Sequence, residues 1–191
     1  MIIDRGYFFS HVRPSVFRGY LTQSQVNGMN DILNGYENVM NGSAPKLAYI
    51  MATTFHETNQ QMQPVRENDG HPYGHAAYWR PVNGQIYYGR GYIQLTWDYN
   101  YKSMSAITGA DLIGHPDLAL DPDIAAKIMF YGMEHGSFTG RRLSDYFNDK
   151  ETDFVNARRI INGMDCASLI ARYATEFLPG IKAGSGAAAP T

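Results

Sequence analysis

Several helices are written into this chain with both their starts and their stops, and these constrain the fold more than any other feature. Thr22-x-x-Gln25 is a capping-box pattern, and Val26, Met29, Ile32, Leu33, Tyr36 and Met40 follow at intervals of three and four. That spacing predicts an amphipathic helix ending near Asn41-Gly42. Ser43 with Pro45 opens a second, with Leu47, Ile50, Met51, Thr54 and Phe55 on its period; it carries His56-Glu57-Thr58 in its last turns and stops before Pro64. Asp121-Pro122 opens a third through Ile124, Ile128, Met129 and Met133, closed by Gly136. Short helices are expected around Leu143, Tyr146 and Phe147 and from Phe154 to Ile161, and Asp165 is placed to cap a final one with Leu169, Ile170, Tyr173 and Phe177 inward.

The expected fold class is mainly α. Its only β element is a small hairpin, Ile86–Tyr88 with Tyr92–Leu95, running into a helix from Tyr99 to Ile107 that stops at Gly109. Residues 1–20, aromatic-rich and interrupted by Pro14, are expected as an irregular N-terminal arm on a single domain of residues 1–181, with residues 182–191 as a flexible tail.

Charge and cysteine usage exclude some functions. Sixteen basic and 18 acidic residues give a formal charge of −2, which does not suit sequence-independent phosphate binding, so no nucleic-acid partner is expected. Cys166 stands alone, so no intramolecular disulfide can form, and its apolar neighbours predict a buried small hydrophobe rather than a nucleophile. The first residues lack the basic start and apolar run of a signal peptide, and no segment approaches the roughly 18 apolar residues of a membrane helix. The expectation is a protein made in the cytoplasm without stable membrane insertion.

From Met62 to Gly84 the helical period breaks into a long loop punctuated by proline and glycine that contains Glu67, and a loop of that length in a compact domain is usually functional. The stretch that follows, Tyr87-Tyr88-Gly89-Arg90-Gly91-Tyr92-Ile93-Gln94-Leu95-Thr96-Trp97-Asp98-Tyr99-Asn100-Tyr101, crowds rings, amides and hydroxyls together without a hydrophobic period. Such a surface suits a sugar, which has C–H faces and a rim of hydroxyls. Acetal hydrolysis needs two carboxyl groups, and Glu57 and Glu67, ten positions apart, are the pair at hand. The negative end of a helix dipole disfavours a carboxylate, so Glu57 suits the acid; Glu67, beside Arg66 in a polar loop, suits the base. His71 and His75 are four apart, but Pro72 and Gly74 between them break the helix that would align them on a metal, and no metal or cofactor is expected.

These residues resemble glycoside hydrolase family 19, the chitinase family whose relatives include lysozyme-like endolysins of phages and bacteria. The stretch Tyr87–Tyr101 resembles its signature, Phe55-His56-Glu57-Thr58 the segment of its catalytic acid, His115–Pro122 a downstream stretch, and Ala157-Arg158-Arg159-Ile160-Ile161-Asn162-Gly163 its late motif. The resemblance implies a two-lobed, lysozyme-like helical domain with a central cleft. It implies Glu57 as general acid and Glu67 as general base of an inverting reaction, with Thr96 positioning the attacking water. Gln94, Asn100 and Asn162 fall on substrate-binding positions, Arg172 where a late basic residue supports the carboxylates, and Tyr88 and Tyr92 along the cleft. Plant members carry disulfides and a longer gap between the glutamates; the shorter gap here resembles the phage branch. The implied function is an endolysin that cuts β-1,4 bonds of peptidoglycan as a monomer, reaching the cell wall or periplasm after a separate holin-type protein permeabilises the membrane. A chitinase and a non-catalytic glycan-binding module are the alternatives.

Overall fold

A computed structural model describes residues 1–40, 42–67 and 77–186 of the chain. Six α-helices lie among them: α1 (Arg5–Ser15), α2 (Gln23–Val39), α3 (Ala44–Glu57), α4 (Asp98–Thr108), α5 (Pro122–His135) and α6 (Ala167–Gly184), with one antiparallel pair of short strands, β1 (Val65–Arg66) and β2 (Arg90–Gly91). The fold is mainly α, as the helix punctuation predicts.

Helix α3 is the centre. Every residue from Leu47 to Phe55 is buried, so its sides are covered by neighbours and the amphipathic stripe of the sequence widens to the whole helix. It packs chiefly against α6, which also carries α1, while α5 supports α2 and α4. Phe17, Phe55 and Phe177 meet edge to face where α1, α3 and α6 converge, with Phe17 and Phe55 centroids 5.2 Å apart.

The helix starts follow the sequence with instructive exceptions. Thr22 and Gln25 form the full capping box, and Asp121 accepts from the N–H groups of Asp123 and Ile124. Gly109 and Gly136 close α4 and α5 in the left-handed conformation, with φ of 75° and 72°. Ser43 holds the N-cap position of α3 without a side-chain bond. The expected irregular arm contains α1: Asp4 accepts from Tyr7 N at 3.0 Å, and Phe8 and Val12, one turn apart, are buried. Pro14 falls in the last turn, so it removes a bond at the end of the helix instead of splitting it.

Asp165 does not cap α6. Cys166 occupies that position with φ 56° and is exposed, not buried as its neighbours suggested, because a left-handed cap turns its side chain off the helix face. The helix runs on to Gly184, into the stretch expected as tail, and Asp4 N donates to Gly184 O at 2.6 Å. Residues 187–191 lie outside the described residues. The short segments around 143 and 156 are 3-10 turns, Leu143–Asp145 and Asn156–Ile160.

The expected hairpin does not form. Gly91 and Gln94, at φ 89° and 56°, fold the chain back so tightly that Arg90 and Leu95 pair with each other, leaving no length for two strands. Strand β2 pairs instead with β1, in the register Val65 to Gly91 and Arg66 to Arg90. This pairing brings the loop bearing Glu67 to the sugar-like stretch.

Candidate active site

Glu57 is the last residue of α3, and its partner is Arg158. The guanidinium, 3% exposed, donates from Nη1 to Glu57 Oε1 at 2.6 Å and from Nη2 to Asp165 Oδ2 at 3.3 Å, while its Nε reaches Asp165 O at 3.1 Å. Burial opposes the guanidinium charge, but Glu57 and Asp165 outweigh it and raise Arg158 above the ordinary arginine value. Tyr49, buried in α3, donates to Ala157 O at 2.7 Å and thereby fixes the turn carrying Arg158 beneath the helix end.

Glu67 follows β1 and is held by neutral donors. Its N–H donates to Gly89 O at 2.8 Å; its Oε2 accepts from Gly89 N at 3.0 Å and its Oε1 from the Tyr78 hydroxyl at 2.8 Å. A β-carbon on Gly89 would stand 2.8 Å from Gln94 Oε1 and 3.3 Å from Glu67 Cβ, so a side chain there would displace the Gln94 amide and crowd Glu67. Arg66 turns the other way along the strand and pairs with Asp117 at 2.8 Å rather than supporting Glu67. Asp117 also takes Arg90 Nε at 2.7 Å, and the buried Arg90 lies 3.6 Å over the Tyr88 ring.

Two adjoining cavities, of about 430 and 690 Å3, share Glu57 and Gln94. Tyr78, Thr96, Trp97, Tyr99, Asn100 and Asn162 line the first; Asn59, Gln61, Arg66 and Glu67 line the second. The structure thus brings Glu57, Glu67, Gln94, Thr96, Asn100 and Asn162 to one groove. Part of the polar set is spent on shape: Gln94 Nε2 donates to Val65 O at 3.1 Å, Thr96 Oγ1 to Gln94 O at 2.8 Å, and Asn100 Nδ2 to Thr96 O at 2.8 Å. Gln94 and Trp97 are held at positive φ, a strain that tends to collect at functional sites.

Three expected site residues stand elsewhere. Tyr88 is sandwiched between Arg90 and Trp79, whose ring stacks on it at 4.9 Å and 18°, and it borders neither groove cavity. Tyr92 is fully buried in the core, because the turn after Gly91 points its side chain inward; its hydroxyl has no partner among the described residues. Burial first, then the charges of Asp31, Asp123 and Asp121, push that phenol far upward. Arg172 is 63% exposed, pairs with Glu176, one turn on, at 3.8 Å and lies 5.5 Å over the Tyr173 ring, away from both glutamates of the groove; Arg158 is the arginine that meets Glu57.

Arg158 and Tyr78 are the residues that sequence reasoning missed. Arg158 lies inside the late motif, where a paired arginine was its only mark, and Tyr78 inside an aromatic pair of the long loop. His71 and His75 lie outside the described residues; among those described, no group of three His, Cys, Asp or Glu could hold a metal, and no helix is long and apolar enough to cross a membrane. An apolar cavity of about 280 Å3 lined by Val39, Phe130 and Tyr131 contains neither glutamate.

A helical domain with two glutamates on a groove bordered by a strained polar and aromatic turn defines a lysozyme-like class of protein. Residues 35–137, over half of the chain, match the family model described as chitinase class I, and the chain belongs to that family, glycoside hydrolase family 19. An endochitinase of Persea americana is 30% identical over 127 residues, covering 58% of this chain and 39% of that protein. Endochitinase CH25 of Brassica napus is 47% identical over 53 residues, 27% of this chain and 16% of that one. The chain thus matches well under half the length of these curated relatives. Chitinase C from Streptomyces griseus HUT6037 shares the fold with a TM-score of 0.61 at 24% identity, over 96% of this chain and 79% of that one. A bacterial family 19 chitinase gives 0.61 at 25% identity, over 97% and 98%.

Proposed function

We propose that this domain hydrolyses β-1,4-linked N-acetylated glycans, bacterial peptidoglycan in particular, by direct displacement. The observation that carries the reading is one groove bordered by two glutamates fixed from opposite walls, Glu57 by the Arg158 guanidinium and Glu67 by the Tyr78 hydroxyl and Gly89 N–H. Arg158 fixes Glu57 Oε1, which leaves Oε2 to deliver a proton to the departing glycosidic oxygen. Hydrogen bonds to both oxygens of Glu67 fix the orientation of the carboxylate that takes a proton from water. Thr96 Oγ1 donates its hydrogen bond to Gln94 O, so its lone pairs can accept a hydrogen bond from the other O–H of that water, which stays on the oxygen as it attacks the anomeric carbon. The C–O bond to the leaving sugar breaks as the new one forms on the opposite face, the configuration inverts, and the cycle ends with Glu67 protonated and Glu57 ionised.

The short span between the glutamates and the likeness to the phage branch support peptidoglycan and an endolysin role: synthesis in a host cytoplasm, passage to the wall or periplasm through a holin-type lesion, and action as a monomer without cofactor. Chitin is the second reading, favoured by relatives that bear the name endochitinase. Turbidity of outer-membrane-permeabilised bacteria should fall with the wild-type protein, and Glu57→Gln should lower the rate about 10³-fold and Glu67→Gln about 10²-fold. Full lysis by both variants overturns the reading. Colloidal chitin offered beside purified peptidoglycan decides the polymer. Mass spectrometry of the products should show water added across the cut bond; an anhydro end would mark a transglycosylase, and binding without any release of ends a non-catalytic module.

A further inference from the structure

Nothing in its own strand fixes the Glu67 side chain. Of its two donors, Gly89 N–H is backbone, while Tyr78 is a side chain that must itself be held. What holds it is aromatic. The Tyr78 ring meets Trp97 edge-on, with centroids 5.4 Å apart at 78°, and Trp97 lies nearly parallel to Tyr99 at 6.0 Å and 19°. Trp97 keeps φ 76° and ψ 138°, a conformation rare for a bulky residue, and is 36% exposed; Tyr99 is 60% exposed. All three rings border the smaller groove cavity, where Glu57 also lies. Ring faces left open at the rim of a groove suit the C–H face of a pyranose.

We infer that Tyr78 is a positioning residue for Glu67, linking the occupied aromatic rim to the base. The inference rests on the glycosidase reading above. A sugar lying on Trp97 and Tyr99 closes the open side of the ring cluster and fixes the Tyr78 ring against Trp97. The hydroxyl then holds Glu67 Oε1 in place, and the remaining lone pairs of the carboxylate face the water. Burial, and then the hydrogen bond and charge of Glu67, push the phenol above its ordinary value, so Tyr78 stays a donor wherever the enzyme works. No bond to substrate is made or broken by Tyr78; its contribution is the angle of the base.

Steady-state turnover of a soluble glycan oligomer tests this. Tyr78→Phe keeps the ring stack and removes only the donor: kcat should fall about tenfold while KM stays within about twofold. Trp97→Ala should show the reverse emphasis, with KM rising more than kcat falls. In a Glu67→Gln background Tyr78→Phe should have no further effect, since a group acting through Glu67 cannot be lost twice. An unchanged kcat in Tyr78→Phe, or the same loss in both backgrounds, overturns the inference and leaves the glycosidase reading intact. A wild-type protein that releases no reducing ends from any glycan overturns both.

Discussion

The wall that carries Glu57 is helix packed on helix, its carboxylate anchored by a buried guanidinium, whereas the wall that carries Glu67 is a two-residue strand with the 3-10 turn Ala77–Trp79 that bears Tyr78, its carboxylate held by a phenol and a backbone N–H. The first wall has little freedom: an ion pair at 3% and 16% exposure cannot lose a partner without stranding a charge. The second can yield, because losing a neutral donor leaves no unpaired counter-charge behind it, and a water can take that donor's place at the carboxylate. The inverting reaction proposed above would use both, an acid fixed against the leaving oxygen and a base free to follow a water.

The largest effect should come from breaking the rigid wall. Arg158→Ala leaves Glu57 and Asp165 without their guanidinium and should cost about 3 kcal/mol in urea unfolding, whereas Arg172→Ala, at an exposed pair, should cost under about 0.5 kcal/mol. Arg158→Lys should recover only part of the loss, because a single ammonium cannot span both acids. Equal losses at positions 158 and 172 would erase the difference between the walls.

Acid should distinguish the walls next. Burial pushes the Asp117 carboxyl up, but hydrogen bonds from Arg66 and Arg90 outweigh it and hold the group below its ordinary 3.8. A depressed carboxyl contributes stability that is present above 3.8 and is lost as pH falls through the lower folded value. Asp117 joins β1 to β2, so amide exchange in the Glu67 wall should accelerate below that pH before exchange in α3 does. Asp117→Asn should abolish the difference at a stability cost under about 1 kcal/mol, since the side chain is 58% exposed and screened. Uniform acid loosening would count against the contrast.

The smallest effect is a control in the core. Tyr92→Phe removes a buried hydroxyl that has no partner among the described residues, so stability should stay the same or rise by up to about 1 kcal/mol, with kcat unchanged. A tenfold loss of kcat would return Tyr92 to the groove.

Where the sequence repeats a local rule, the structure follows it. The capping box at Thr22, the Asp121 cap and the left-handed stops at Gly109 and Gly136 each depend on residues within a turn of one another. Part of the groove was legible as well: Glu57 and Glu67 are marked by their chemistry as a carboxylate pair, Gln94, Thr96 and Asn100 by the resemblance to the family, and the structure brings all five to one groove. What escaped depends on contacts across long spans. Arg158 meets Glu57 from 101 positions away, and no local pattern favours it over Arg172. Tyr92 lies between groove residues in sequence, yet the positive φ of Gly91 turns it inward. Cys166 was misjudged because apolar neighbours say nothing about a backbone that leaves the helix at that residue.

Gly28 stands outside the groove and still governs it. A β-carbon there would lie 1.7 Å from Met62 O and 2.7 Å from Gln63 Nε2, so α2 touches, backbone to backbone, the turn that separates the two glutamates. The gap between Glu57 and Glu67 is therefore gauged from behind, by how closely one helix can press on the seven residues, 58–64, that join α3 to β1. Any side chain at position 28 would act as a shim, and the distance between the two carboxyls would change with its thickness.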